Sequence, residues 1–231
     1  MPSVKGILRM SEGRLIVIDG IDGCGKSTQF KIISHMLEES GRKVKPISFP
    51  DYGNESSALV RMYLGGEFSD SPSGVNAYAA SSFYAVDRYA SYMKYWKSDY
   101  ESGSIILASR YVSSNAIHQM EKLDRTDWDS YLSWLEDYEY EKLSLPRADK
   151  VILLDMPVEI SQKFLSVRYN GDNSKKDIHE ADSDYLKRCR EASLYAAEKC
   201  GWSVIRCFKE DRPSSIESVS EMLINEISEV I

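Results

Sequence analysis

The apolar run Leu15-Ile16-Val17-Ile18-Asp19 leads directly into Gly20-Ile21-Asp22-Gly23-Cys24-Gly25-Lys26-Ser27, a complete G-x-x-x-x-G-K-S phosphate loop. No other feature restricts the fold as much. The pattern requires a buried strand, a tight glycine turn and then a helix whose N-terminus faces an anion. The helix is supplied by Phe30, Ile33 and Leu37 at helical spacing, with Gly41 as a stop. Glycines let successive backbone N–H groups curl around phosphates without side-chain clashes. The loop residues Gly20, Ile21, Asp22, Gly23, Cys24, Gly25, Lys26, Ser27 and Thr28 are therefore expected to bind a nucleoside triphosphate. Lys26, read as an otherwise exposed side chain, would reach the β- and γ-phosphates, and Ser27 would ligate magnesium.

Four further apolar runs read as strands: Val44 to Phe49, Ile105 to Ser109, Val151 to Asp155 and Ser203 to Cys207. Helix-compatible stretches separate them, so the expected fold is α/β, a five-stranded parallel sheet with helices on both faces of the P-loop NTPase type. Ligands bind such sheets at the carboxyl ends of the strands. A length of 231 residues suits one domain, 1–231. The polar segment from Arg168 to Asp184, between two helical stretches, reads as a lid.

Composition excludes several classes. A net charge of -7 and a pI of about 5.2 argue against a general nucleic-acid surface. No run approaches the roughly 20 apolar residues of a membrane span, and nothing before Arg14 has the apolar core of a signal peptide. Cys24, Cys189, Cys200 and Cys207 form no C-x-x-C pair and lack zinc-site spacing, which fits a reducing cytoplasm. No N/T-K-x-D guanine-reading tetrapeptide occurs, which disfavours a GTPase.

Three more segments accompany the phosphate loop: Phe49-Pro50-Asp51-Tyr52-Gly53, Phe83-Tyr84-Ala85-Val86-Asp87-Arg88 and Ser109-Arg110-Tyr111. Together, in this order, they resemble the thymidylate kinase family, and the resemblance extends from Arg14 to about Cys207. It implies transfer of the ATP γ-phosphoryl to dTMP with magnesium, in a homodimer. The residue types agree with that chemistry. Tyr84 and Arg88, four positions apart on a helix, share a face, giving a base-stacking platform beside a cationic donor that the resemblance assigns to thymine O4. Arg110, just beyond a strand, can grip a phosphate with two parallel N–H groups. Asn115 matches the amide that reads thymine N3. The resemblance assigns Asp22 to the acceptor 3′-hydroxyl. Phe49 and Ser114 complete the implied dTMP site, and Gln119 is a weaker neighbour. His118, a lone histidine, carries no expected catalytic role.

The implied catalytic set is Lys26, Asp22, Arg110, Arg168 and Lys176. The cation bridging the two phosphates is expected from the lid (Arg168, Lys175 or Lys176), because the loop position where some relatives carry arginine is Gly23. Arg188 and Arg190 are alternatives. Two departures stand out. Ser109 replaces the family's strand-end aspartate, for which Asp155 is the expected substitute. Asp51 lies where an acceptor-phosphate arginine is usual, leaving Arg61 as a possible compensation. These departures admit two other readings: a broader deoxynucleoside monophosphate kinase, and a nucleotide-binding regulatory module with weakened catalysis.

Overall fold

The structure, a computed structural model, describes residues 13–69, 74–168 and 183–231. Its centre is β1 (Arg14–Asp19), whose residues Leu15 to Ile18 are completely buried. Such a strand must be covered on both sides, and this is why the run reads as unbroken apolar sequence instead of alternating. Four parallel partners surround it: β2 (Val44–Ser48), β3 (Ile105–Ser109), β4 (Lys150–Asp155) and β5 (Ser203–Arg206), in the order β2-β3-β1-β4-β5. The predicted runs thus all form strands. β1 and β4 begin one residue earlier than the apolar pattern suggests, and β2 and β5 end one residue sooner.

Alternate residues of β1 enter two different cores. Ile16 and Ile18 pack with α1 (Lys26–Glu39) and α9 (Ile216–Ser228) through Ile33, Leu37, Leu223 and Ile227. Leu15 and Val17 face the opposite layer, formed by α3 (Ala77–Ser91) and α6 (Trp128–Glu136) through Ala77, Trp128, Tyr131 and Leu135. Each large apolar side chain buried here contributes about 1.5–3 kcal/mol. Other helices are α2 (Ala58–Leu64), α4 (Lys97–Glu101), α5 (Ser113–His118), α7 (Val158–Arg168) and α8 (Ser183–Cys200).

The helix that carries Tyr84 and Arg88 starts at Ala77, where the Asn76 side chain caps it by accepting from Ala79 N at 2.9 Å. It continues through a wider π-helical turn, Tyr92–Trp96, into α4. A second π-helical turn, Asp137–Lys142, extends α6. A short antiparallel hairpin, β6 (Phe208–Lys209) with β7 (Arg212–Pro213), follows β5. Neither π turn nor hairpin is signalled by sequence periodicity. Most of the expected lid, residues 169–182, including Lys175 and Lys176, lies outside the described residues. Arg168 closes α7 and Ser183 opens α8.

Candidate active site

At the carboxyl end of β1 the chain turns through Gly20, at φ 148°, and Gly23, at φ 78°. These two positions exclude a side chain for steric reasons as well. A Cβ on Gly20 would lie 2.7 Å from the Leu154 carbonyl, and one on Gly23 only 2.5 Å from that of Ser161. Helix α7 thus packs directly on the loop, so an arginine at position 23 could not be accommodated without moving it.

Lys26 is buried, contrary to the exposed side chain expected from sequence. Its ammonium donates to Gly20 O at 2.7 Å and Ile21 O at 2.8 Å, folding back over its own loop. Gly20 and Ile21 accordingly serve through backbone carbonyls, and the Ile21 side chain belongs to the core. Ser27 and Thr28 are exposed at the first turn of α1.

A cavity of about 980 Å³ surrounds this loop. It reaches toward both edges of the sheet. Beyond β2 and β3 it is walled by Phe49, Tyr84, Arg88, Ser114 and Asn115, and Asp22 and Arg110 lie between these and Lys26. The structure thus brings together the described residues expected to hold an acceptor. Toward β5 the same cavity is lined by Cys207, Ser214 and Ile216, an end that no motif announced.

Arg110 occupies the left-handed region at φ 70°, with its backbone N–H bonded to Ile18 O at 3.1 Å. That conformation costs a non-glycine residue about 1–3 kcal/mol and is found preferentially at functional sites. Its guanidinium pairs with the Asp22 carboxylate and lies 3.7 Å from Asp19. Burial works against the charge, but the two carboxylates outweigh it and hold the Arg110 pKa above the ordinary arginine value. Its Nη1 also lies 2.7 Å from His118 Nε2. A guanidinium only donates, so this imidazole nitrogen accepts and the ring proton sits on Nδ1, 3.3 Å from the Tyr185 hydroxyl. His118, given no role from sequence, therefore helps orient Arg110.

Arg88 is fully buried. It makes a two-pronged ion pair with Glu139, at 2.6 Å and 2.5 Å, and donates to Tyr111 O at 3.2 Å. Burial opposes its charge, yet the Glu139 carboxylate more than compensates and raises its pKa. Tyr84 sits edge-on to Tyr63, at 6.3 Å and 89°. Gln119 lines the cavity and is buried, with its Oε1 lacking a hydrogen-bond partner.

Two substitutes inferred from sequence do not hold. The Asp155 carboxylate is taken by Arg190, at 2.6 Å and 3.0 Å, and both residues line a separate cavity beside β5. A strand-end side chain projects to one face or the other, and that of Asp155 turns away from the phosphate loop. Arg190 is thereby excluded as a bridging cation in this arrangement, and Arg188 is paired with Glu121 at 2.8 Å. Arg61 donates to Asn54 O and Ser57 Oγ in its own loop and does not line the cavity. Ile18 and Ser109 are register partners across β1 and β3, so Asp19, the next residue of β1, places a strand-end carboxylate beside Ser109's strand. Asp19 is fully buried and accepts from Gly20 N, Ser113 Oγ and Ser114 Oγ at 2.8, 2.6 and 2.7 Å. Its position as the last residue of the strand before the loop was the available signal.

A family model described as thymidylate kinase matches residues 18–217. A thymidylate kinase of Mycobacterium tuberculosis is 30% identical over 176 residues, spanning 75% of this chain and 81% of its own. A probable thymidylate kinase of Thermococcus gammatolerans is 31% identical over 189 residues, 80% and 84% of the respective chains. The fold is shared with the solved thymidylate kinase of Candida albicans at a TM-score of 0.70 and 20% identity, covering 94% of this chain and 92% of that one.

Proposed function

The chain belongs to the thymidylate kinase family, and on that premise we propose that it transfers the γ-phosphoryl group of ATP to dTMP, giving ADP and dTDP. The observation that carries this reading is the continuous cavity joining the phosphate loop to Tyr84, Arg88 and Asn115. ATP occupies the loop, with its nucleoside toward Cys207, Ser214 and Ile216. The thymine ring stacks on Tyr84 within reach of Arg88 and Asn115, and Phe49 closes the β2 side.

Phosphoryl transfer leaves a protein little covalent work, so rate comes from aligning donor and acceptor and neutralising charge between them. Lys26 exchanges its two loop carbonyls for phosphate oxygens. Arg110 turns from Asp22 toward the acceptor phosphate, which releases the Asp22 carboxylate to accept from the sugar 3′-hydroxyl. The exposed Ser27 hydroxyl, a hard oxygen donor, would hold magnesium, which would supply charge screening to the donor phosphates. The cation between the phosphates comes from Arg168, Lys175 or Lys176, in a lid over residues 168–184, within one domain of residues 1–231.

Val86, Tyr89 and Met93 form an exposed apolar stripe at i, i+3 and i+7 along α3 and its π turn. This stripe is the contact of a homodimer, because such a face is stabilised by burial against a second copy. Among the described residues no helix is long and apolar enough to cross a membrane. The four cysteines are free, which fits the cytoplasm.

A coupled ADP-release assay with dTMP, dUMP, dCMP and dGMP tests the activity. Preference for dTMP is expected, and turnover with purine monophosphates equal to that with dTMP refutes the assignment of the acceptor side.

A further inference from the structure

The two groups that face the acceptor base are both held by a residue that does not line the cavity. Glu139 is completely buried within the π-helical turn Asp137–Lys142. Its Oε2 accepts from Arg88 Nε at 2.6 Å. Its Oε1 accepts from Arg88 Nη2 at 2.5 Å and from Asn115 Nδ2 at 3.0 Å. Asn115 Nδ2 also donates to Ser81 O at 3.2 Å.

Both partners of the Asn115 amide nitrogen are oxygens that only accept, one a carboxylate and the other a backbone carbonyl. Turning the amide over would set Oδ1 against both of them, in a buried place where unmatched acceptors are costly. The amide orientation is therefore dictated by its surroundings, and the atom left for a ligand is Oδ1, an acceptor. Arg88 has only donors to offer. The cavity side consequently presents a donor and an acceptor in fixed order.

We infer that Glu139 is a positioning residue that sets base selectivity by locking this order; the inference rests on reading the Tyr84 end of the cavity as the dTMP site. Thymine and uracil match the pattern, with a carbonyl acceptor at C4 for Arg88 and an N3–H donor for Asn115 Oδ1. Cytosine inverts both groups. Its C4 amino group would meet the guanidinium donor, and its unprotonated N3 would meet an oxygen that cannot donate. A site with committed polar groups rejects a mismatched partner because those groups are left unpaired. Glu139 lies four residues after Leu135, so it continues the buried face of α6 into the π turn.

Glu139→Gln tests the inference. The neutral amide must put an NH₂ group against Arg88 or Asn115, so the order is no longer locked. The ratio of kcat/KM for dTMP to that for dCMP should fall by about tenfold or more, the scale of hydrogen bonds to charged groups. KM for ATP should stay unchanged. Glu139→Asp keeps the charge with a shorter reach and should lower the same ratio less; it carries the test if the glutamine variant does not fold. A merely structural role would lower thermal stability while leaving the dTMP to dCMP ratio at its wild-type value, and that result in either folded variant overturns the proposal alone. A wild-type enzyme with no preference for dTMP over dCMP overturns the reading of the acceptor site, and the proposal with it.

Discussion

Replacing Lys26 by methionine separates two tasks that one ammonium performs. In the free protein its Nζ lies 2.7 Å and 2.8 Å from the Gly20 and Ile21 carbonyls, 3.7 Å from Cys24 Sγ and 4.0 Å from Asp22. Two charge-assisted bonds would stabilise by about 1.5–3 kcal/mol each, but desolvating the ammonium in a buried position offsets much of this. A net loss of about 2 kcal/mol is expected on substitution. For a domain of this size that corresponds to a fall in melting temperature of roughly 4–8 °C. The methionine keeps the apolar stem packed, so the loss reports the ammonium and not a cavity. Removal of one electrostatic stabiliser of the transferring phosphate should cost about 3–4 kcal/mol in the transition state, on the order of 100- to 1000-fold in kcat. Thermal melts and the coupled ADP assay on one purified, folded sample measure both effects. Near-wild-type kcat refutes the phosphate role of Lys26. An unchanged melting temperature with lost turnover refutes the bracing role in the free loop.

Arg88→Met should lower stability by about 3–5 kcal/mol, because it strands the buried Glu139 carboxylate, and should weaken dTMP binding more than ATP binding; equal weakening of both by calorimetry would make Arg88 purely structural. Lys122 gives a pH signature: burial lowers its pKa to about 8 from 10.5, so between those values the unfolded chain binds more protons and stability rises with pH, by at most roughly 3 kcal/mol. Tyr63, raised to about 12 by burial, takes stability away again above pH 10. Denaturant melts should show wild type gaining on Lys122→Met from pH 8 to 10, and a constant difference would contradict the assignment. Asp155→Asn should leave the magnesium dependence of turnover unchanged while costing about 2 kcal/mol of stability through the lost Arg190 pair; a raised magnesium requirement would return Asp155 to the metal site. For the bridging cation, Arg168→Ala and the Lys175→Ala/Lys176→Ala pair are expected to differ in single-turnover transfer rate, and no change in either would transfer that role to another group.

Local chemistry made the phosphate loop and all five strands legible in the sequence. Glycines at 20, 23 and 25, a lysine and a serine at fixed offsets, and apolar runs long enough for two-sided burial each express a requirement met within a few neighbouring residues. Tyr84, Arg88, Arg110 and Asn115, expected from the motif resemblance to hold an acceptor, are brought by the fold to one cavity. What each of them touches was not legible. Nothing in the motif showed that Glu139 holds Arg88, and Asp155, expected to be a stand-in carboxylate, is held by Arg190. Lys26 was expected to be exposed and is folded under its own loop. His118 looked uninformative and accepts from Arg110. These outcomes depend on pairs far apart in the chain: Arg88 and Glu139 meet only because α3 and the π turn after α6 lie in the same layer. Sequence determines which charges exist and which strands can be buried. Tertiary packing decides which charges are neutralised in the interior, because a buried ion must find its counter-charge wherever the fold places one.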